Sequence, residues 1–165
     1  MATETRTTTD LGGVTIETVA AGAVGGFLGS ILFGLLMQFV IPAPILEMAI
    51  PAMYGIEGPA LATGWAIHQF HGVALGLAYV AIVQAGPLRE PARRVGGAVA
   101  LGVGYGVVTT AVLAVLVMPV WLSTLGFPGA PPFPNLAIPG TLMSLLGHIV
   151  YAVPVAVAYA LVARE

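Results

Sequence analysis

The chain has 165 residues, of which 58% are hydrophobic and 7% are charged, with a formal net charge of −2. Soluble domains carry roughly 25% charged residues, so this composition excludes a water-soluble fold and predicts an integral membrane protein surrounded by the lipid bilayer. The shortage of basic residues excludes nucleic acid as a partner, and the lack of cysteine excludes disulfides, thiolate metal sites and thiol nucleophiles.

The segment 1–13, MATETRTTTDLGG, is polar and is predicted to be a cytoplasmic tail. Four apolar segments follow, each near the ~20 residues that a helix needs to cross the hydrocarbon core. They predict an all-α bundle of four transmembrane helices at Val19–Ile41, Leu61–Gln84, Val95–Val120 and Thr141–Val162. The chain then divides into a first helical hairpin, a cytoplasmic loop and a second helical hairpin, at residues 14–84, 85–94 and 95–165.

All the basic residues fall on one side of this four-span map, whereas Glu47 and Glu57 fall on the other. By the positive-inside rule, both termini are cytoplasmic and the chain is a multi-pass protein of the plasma membrane. The connections on the opposite side are rich in proline and apolar residues, and ILEMAI in the first of them predicts a short interfacial turn of helix. The basic residues are Arg6, Arg89, Arg93, Arg94 and Arg164.

The two halves of the chain align without a gap when one is shifted by 80 residues. His68 then falls on His148, and Tyr79 falls on Tyr159. We interpret this register as a tandem duplication of a helical hairpin, with the two copies related by a pseudo-two-fold axis along the membrane normal. If the duplication places the two histidines at one shared site, replacing either by alanine should have similar effects.

Small residues recur at every fourth position of each span, a spacing that lets helix backbones approach closely in lipid. His68 and His148 lie within these rows, so we expect both to face protein rather than lipid. At 1.5 Å per residue, each lies about 10 Å from the same end of its helix. The four rows are Gly22, Gly26, Ser30 and Gly34; Gly64, His68, Gly72 and Gly76; Ala98, Gly102, Gly106, Thr110 and Ala114; and Gly140, Ser144, His148, Ala152 and Ala156.

Two short segments resemble the motifs of a family of small, uncharacterised four-helix membrane proteins of bacteria and archaea. The second span contains G-W-x-x-H-x-x-x-G, as Gly64, Trp65, His68 and Gly72, and the fourth contains H-x-x-Y, as His148 and Tyr151. The similarity covers nearly the whole chain. It implies a four-helix fold, and because the function of the family is unknown, it implies no catalytic residues.

His68 and His148 are the main candidate cofactor ligands, with His71 and Tyr151 as secondary candidates. Two imidazoles at one depth, flanked by small residues, match the needs of a bis-histidine b-type haem. The same histidines with methionine thioethers would suit Cu(I). The methionines on that side of the map are Met37, Met48, Met53, Met118 and Met143.

Other interpretations stay open. Each histidine could join two helices by donating to a backbone carbonyl, or the histidines with Tyr151 could form a path for protons or a small solute, with Glu47 or Glu57 at its mouth. The sequence contains none of the familiar enzyme motifs, so no catalytic residue is predicted. The leading interpretation is a non-enzymatic small membrane subunit or scaffold, forming homo-oligomers or joining a membrane complex through its glycine-rich faces. The alternatives are the binding of haem or copper, or a conduit for protons or a small solute.

Overall fold

The fold is all-α, in a computed structural model that describes residues 14–41 and 44–164. Among these residues, four helices are long and apolar enough to cross a membrane, which confirms the predicted spans. The predicted tail at 1–13, with Arg6, lies outside the described residues. The four helices are α1 (Ile16–Phe39), α2 (Leu61–Gln84), α3 (Val95–Thr124) and α4 (Gly140–Val162).

The helices α1 and α4 form the centre of the bundle. The main helix pairs are α1 with α4, α1 with α2, and α3 with α4. The helices α2 and α3 flank this centre and do not form a main pair with each other. The bundle is therefore closely packed along three helix pairs and less closely packed between α2 and α3.

Glycines make the α1–α2 contact possible. A Cβ added to Gly22 or Gly26 of α1 would clash with the backbone carbonyls of Gly76 and Gly72 of α2. On its other side, α1 approaches α4 so closely that a Cβ added to Gly25 would lie 2.8 Å from the Cα of Val155. These contacts confirm that the small-residue row of α1 serves close helix packing, because only a residue without a Cβ leaves room for the neighbouring backbone.

The helix α3 changes its backbone geometry in the middle, from an α-helix at Val95–Thr109 to a π-helix at Thr110–Val117 and back to an α-helix at Met118–Thr124. Pro119 has no N–H to donate to a carbonyl of the preceding turn. The connection between α3 and α4 supplies the missing donors: the Asn135 backbone N–H donates to the Val115 carbonyl at 3.0 Å, and its side-chain amide lies 3.4 Å from the Ala114 carbonyl. This connection is therefore tied to α3 at membrane depth, where unpaired carbonyls are costly.

The two ends of the bundle differ in chemistry. At one end, here called the arginine end, Arg93 donates from Nε to the Ala163 carbonyl at 2.6 Å and so joins the α2–α3 connection to the end of α4. The other end, here called the proline end, carries the α1–α2 and α3–α4 connections. The first of these contains helical turns at Ile45–Ala49 and Ile50–Ala52, which confirms the short turn predicted for ILEMAI.

Candidate functional site: a histidine-lined cavity

A cavity of about 640 Å³ lies in the half of the bundle nearer the proline end, where α2 and α3 separate. All three histidines of the chain line it, as does Tyr151. Its wall is otherwise mostly aliphatic, aromatic and thioether side chains, and none of its described lining residues is Asp, Glu, Lys or Arg. The sequence-predicted site residues are thus brought together around a space without charge. The main lining residues are Phe33 and Met37 of α1; His68, His71 and Leu75 of α2; Leu113, Ala114, Met118 and Trp121 of α3; and Ser144, His148 and Tyr151 of α4.

His68 is buried, with 7% of its surface exposed, and joins α2 to α1. Its Nε2 lies 2.9 Å from the Ser30 carbonyl. A carbonyl oxygen can only accept, so Nε2 carries the proton and donates. In the neutral ring, Nδ1 is then a hydrogen-bond acceptor, and no described residue donates to it.

His148 is also buried, but it bonds within its own helix. Its Nδ1 lies 2.8 Å from the Ser144 carbonyl, one turn earlier in α4, so Nδ1 donates and Nε2 remains an acceptor. Among the described residues, no donor to that Nε2 is found. The two histidines therefore present acceptor nitrogens of opposite identity, Nδ1 in one and Nε2 in the other.

Phe33 of α1 contacts both imidazoles. Its ring centroid is 5.7 Å from that of His68 and 4.9 Å from that of His148. Gly147 provides the space, because a Cβ there would clash with the Phe33 ring. Sequence reasoning missed Phe33, because it is one apolar residue among many in α1 and lies outside the row of small residues.

His71 lies at the rim of the cavity, where its ring bonds to the α1–α2 connection. Its Nε2 is 2.5 Å from the hydroxyl of Tyr54, which belongs to the α1–α2 connection. The Tyr54 ring also lies 5.7 Å from the ring of Trp121 on α3. Tyr54 therefore bridges α2 and α3 at the proline end, directly beside the gap between them.

Tyrosines hold the opposite side of the cavity. The Tyr151 hydroxyl donates to the Gly72 carbonyl at 2.7 Å and links α4 to α2, and the Tyr105 hydroxyl donates to the Leu75 carbonyl at 2.8 Å and links α3 to α2. Both hydroxyl protons are thus directed to backbone carbonyls. Tyr151 thus joins α4 to α2, and its role as a secondary candidate cofactor ligand stays a prediction.

The described residues contain no group of three or more His, Asp or Glu side chains able to hold a metal ion. A copper site would therefore need thioethers in addition to imidazoles. Four of the five methionines considered for copper line the cavity, and Met143 does not. The four are Met37, Met48, Met53 and Met118.

The different bonding of the two histidines predicts different effects on stability. Alanine at either position removes a ring that packs on Phe33, but only His68→Ala also removes a hydrogen bond between two helices. We expect the free energy of unfolding in detergent to fall by about 1 kcal/mol more for His68→Ala than for His148→Ala. Chemical denaturation of the two variants measures this difference, and equal losses would instead favour the symmetric shared site.

The arrangement offers a wide, uncharged space with two acceptor nitrogens, four methionine thioethers and several aromatic rings. Such a wall is suited to holding an uncharged guest, because the described lining residues include no carboxylate and no cation for ionic recognition.

Comparison with known proteins adds no relative. No family model matches the chain, and no curated protein or solved structure matches it either.

Proposed function

We propose that the protein binds an uncharged, largely apolar small molecule inside the membrane, in the cavity that all four helices line. The observation that carries this proposal is the cavity itself, which at about 640 Å³ falls in the range of roughly 300–1,000 Å³ typical of small-molecule sites. Its wall is apolar with a few convergent polar groups, as in such sites generally.

The cavity is supported by specific contacts, which favours a binding role over imperfect packing. Protein interiors are close-packed, and a space of this size between helices normally closes. Here Tyr105 and Tyr151 attach α3 and α4 to α2 through hydrogen bonds to Leu75 and Gly72, and so fix the separation of the helices.

A scaffold or subunit role, the leading interpretation from the sequence, remains a proposal with less support. The glycine rows were expected to provide its partner surface. Instead, Gly22 and Gly26 face α2, and Gly25 and Gly29 face α4, so these glycines are already used inside the bundle. A partner chain would have to bind another face.

Haem or copper at His68 and His148 is the second candidate, and one observation favours it. Each ring donates one N–H to a backbone carbonyl and leaves the other nitrogen free, an arrangement typical of histidines that ligate metals. Phe33 contacts both rings, and a porphyrin between them would require this side chain to move. We therefore rank a guest without a metal above haem.

We also infer the placement in the membrane and the origin of the chain. The arginines at one end and the two glutamates at the other support cytoplasmic termini in a plasma-membrane protein, by the positive-inside rule. The packing of the hairpins supports duplication, because Gly22 faces Gly76 in the first and Gly102 faces Ala156, the residue aligned with Gly76, in the second. Membership of the four-helix family that the two motifs resemble is likewise a proposal.

Photolabelling of the protein in liposomes tests the binding proposal. An uncharged aryl diazirine, irradiated after equilibration, should insert saturably into the cavity wall, and peptide mapping would place the label. Ala114→Phe adds a ring on the cavity wall, so we expect saturable labelling to fall about tenfold, an effect of about 1.4 kcal/mol on binding.

Ala111→Phe is the matched control. It makes the same change on the same helix at an exposed position that does not line the cavity, and should leave saturable labelling unchanged. Non-saturable labelling spread over the lipid-facing surface, equal in both variants, would refute the proposal. A Soret band in the purified protein, lost in His148→Ala, would favour haem instead.

A further inference from the structure

We propose that the guest of this cavity is a lipophilic alcohol or phenol, whose hydroxyl group donates a hydrogen bond to His148 Nε2, to His68 Nδ1, or to both. This inference rests on the proposed function, because it names the class of molecule that the cavity binds. It depends on which hydrogen-bond donors and acceptors of the cavity wall are already paired within the protein.

The imidazole N–H groups of His68 and His148 and the Tyr151 hydroxyl are already used inside the protein. His68 donates to the Ser30 carbonyl and His148 to the Ser144 carbonyl, while Tyr151 donates to the Gly72 carbonyl. At the rim, His71 and Tyr54 bond to each other. A guest that only accepts hydrogen bonds, such as a ketone, an ester or a quinone, would find these groups occupied and would depend on the Ser144 hydroxyl or the Trp121 indole N–H of the wall.

The acceptors of the wall, by contrast, are open. Nδ1 of His68 and Nε2 of His148 have no donor among the described residues, and both rings lie on the cavity wall. A polar atom in an apolar interior costs free energy when it stays unpaired, and water or a guest must then satisfy it. A guest hydroxyl provides the O–H that these nitrogens need.

The rest of the wall limits the guest to uncharged molecules. A fatty acid would require a cation and an amine would require a carboxylate, and neither kind of side chain occurs among the described lining residues. The aromatic rings of Phe33 and Trp121 and the thioethers of the wall suit an apolar or aromatic body. An alcohol or phenol with an apolar body satisfies all of these conditions.

Competition against the diazirine probe tests the inference with a matched pair of compounds, 4-pentylphenol and its methyl ether. The two differ in the one O–H, and their membrane concentrations are corrected with measured bilayer partition coefficients. In the unmodified protein, we expect the phenol to displace the probe at about a tenfold lower membrane concentration than the ether, the equivalent of one net hydrogen bond. In His148→Phe, which keeps a ring but lacks the acceptor, the ratio between the concentrations of ether and phenol that displace the probe should shrink toward one.

The outcomes separate this inference from the proposed function. Equal displacement by phenol and ether in the unmodified protein would overturn the alcohol or phenol class, while the cavity would still be a binding site. A preference that persists undiminished in both His148→Phe and His68→Phe would overturn the role of the imidazoles. If neither compound displaces the probe and the probe does not label saturably, the proposed function itself fails.

Discussion

Valine in place of Gly26 is expected to break the α1–α2 packing and lower the free energy of unfolding by about 3 kcal/mol or more. The reason is the contact of two backbones: a Cβ at Gly26 would clash with the Gly72 carbonyl, and a backbone carbonyl cannot rotate away as a side chain can. Thermal and denaturant unfolding in detergent, followed by helical circular dichroism, measures the loss.

The same substitution at Gly104 is the control. Gly104 lies on an exposed face of α3, and a Cβ there has no heavy atom within 4 Å. Gly104→Val should therefore change the unfolding free energy by less than about 1 kcal/mol. Equal stability of the two variants would show that α1 and α2 do not approach as closely as the structure indicates.

The glycine rows show how much of the fold the sequence could predict. In lipid, close approach of helices depends on small side chains, so rows such as Gly22 and Gly26 directly indicate contact faces. The spans were predicted for a similar reason, because the length of an apolar run follows from membrane thickness. The predicted third span ends at Val120, whereas the helix ends at Thr124. The helix continues past Pro119 because the α3–α4 connection donates a hydrogen bond to the Val115 carbonyl, which Pro119 cannot pair.

The cavity was not predictable, because it depends on where the two halves differ. Tyr105 falls on Gly25 in the 80-residue register. Gly25 lets α1 lie directly against α4, whereas Tyr105 reaches from α3 to the Leu75 carbonyl of α2. The two helix pairs therefore differ at this position, where α1 contacts α4 directly and α3 contacts α2 through a long side chain. The exchange of Gly25 for Tyr105 in the 80-residue register is the sequence signal that the α2–α3 contact differs from the α1–α4 contact.

The roles of the histidines were predictable only in part. Their position in the small-residue rows correctly indicated burial. Which ring nitrogen donates depends on the nearest carbonyl, which belongs to another helix for His68 and to the same helix for His148. Such local geometry has no signature in a repeat alignment, which treats the two residues as equivalent.

The proposed orientation of the protein predicts an all-or-none result in cysteine labelling. The chain is suited to this experiment because it has no cysteine of its own. Glu57 lies at the proline end and Glu90 at the arginine end, and both side chains are exposed. If the termini are cytoplasmic, a membrane-impermeant maleimide added to intact cells should label Glu57→Cys and leave Glu90→Cys unlabelled.

The pair is matched, because both variants replace a glutamate by cysteine and retain every arginine on which the positive-inside argument depends. Permeabilising the membrane should make Glu90→Cys reactive, which shows that its lack of labelling in intact cells comes from the membrane and not from burial. The reverse pattern, with only Glu90→Cys labelled in intact cells, would place the arginine end outside. The cavity would then open toward the cytoplasmic half of the bilayer, and its guest would be drawn from the inner leaflet instead of the outer one.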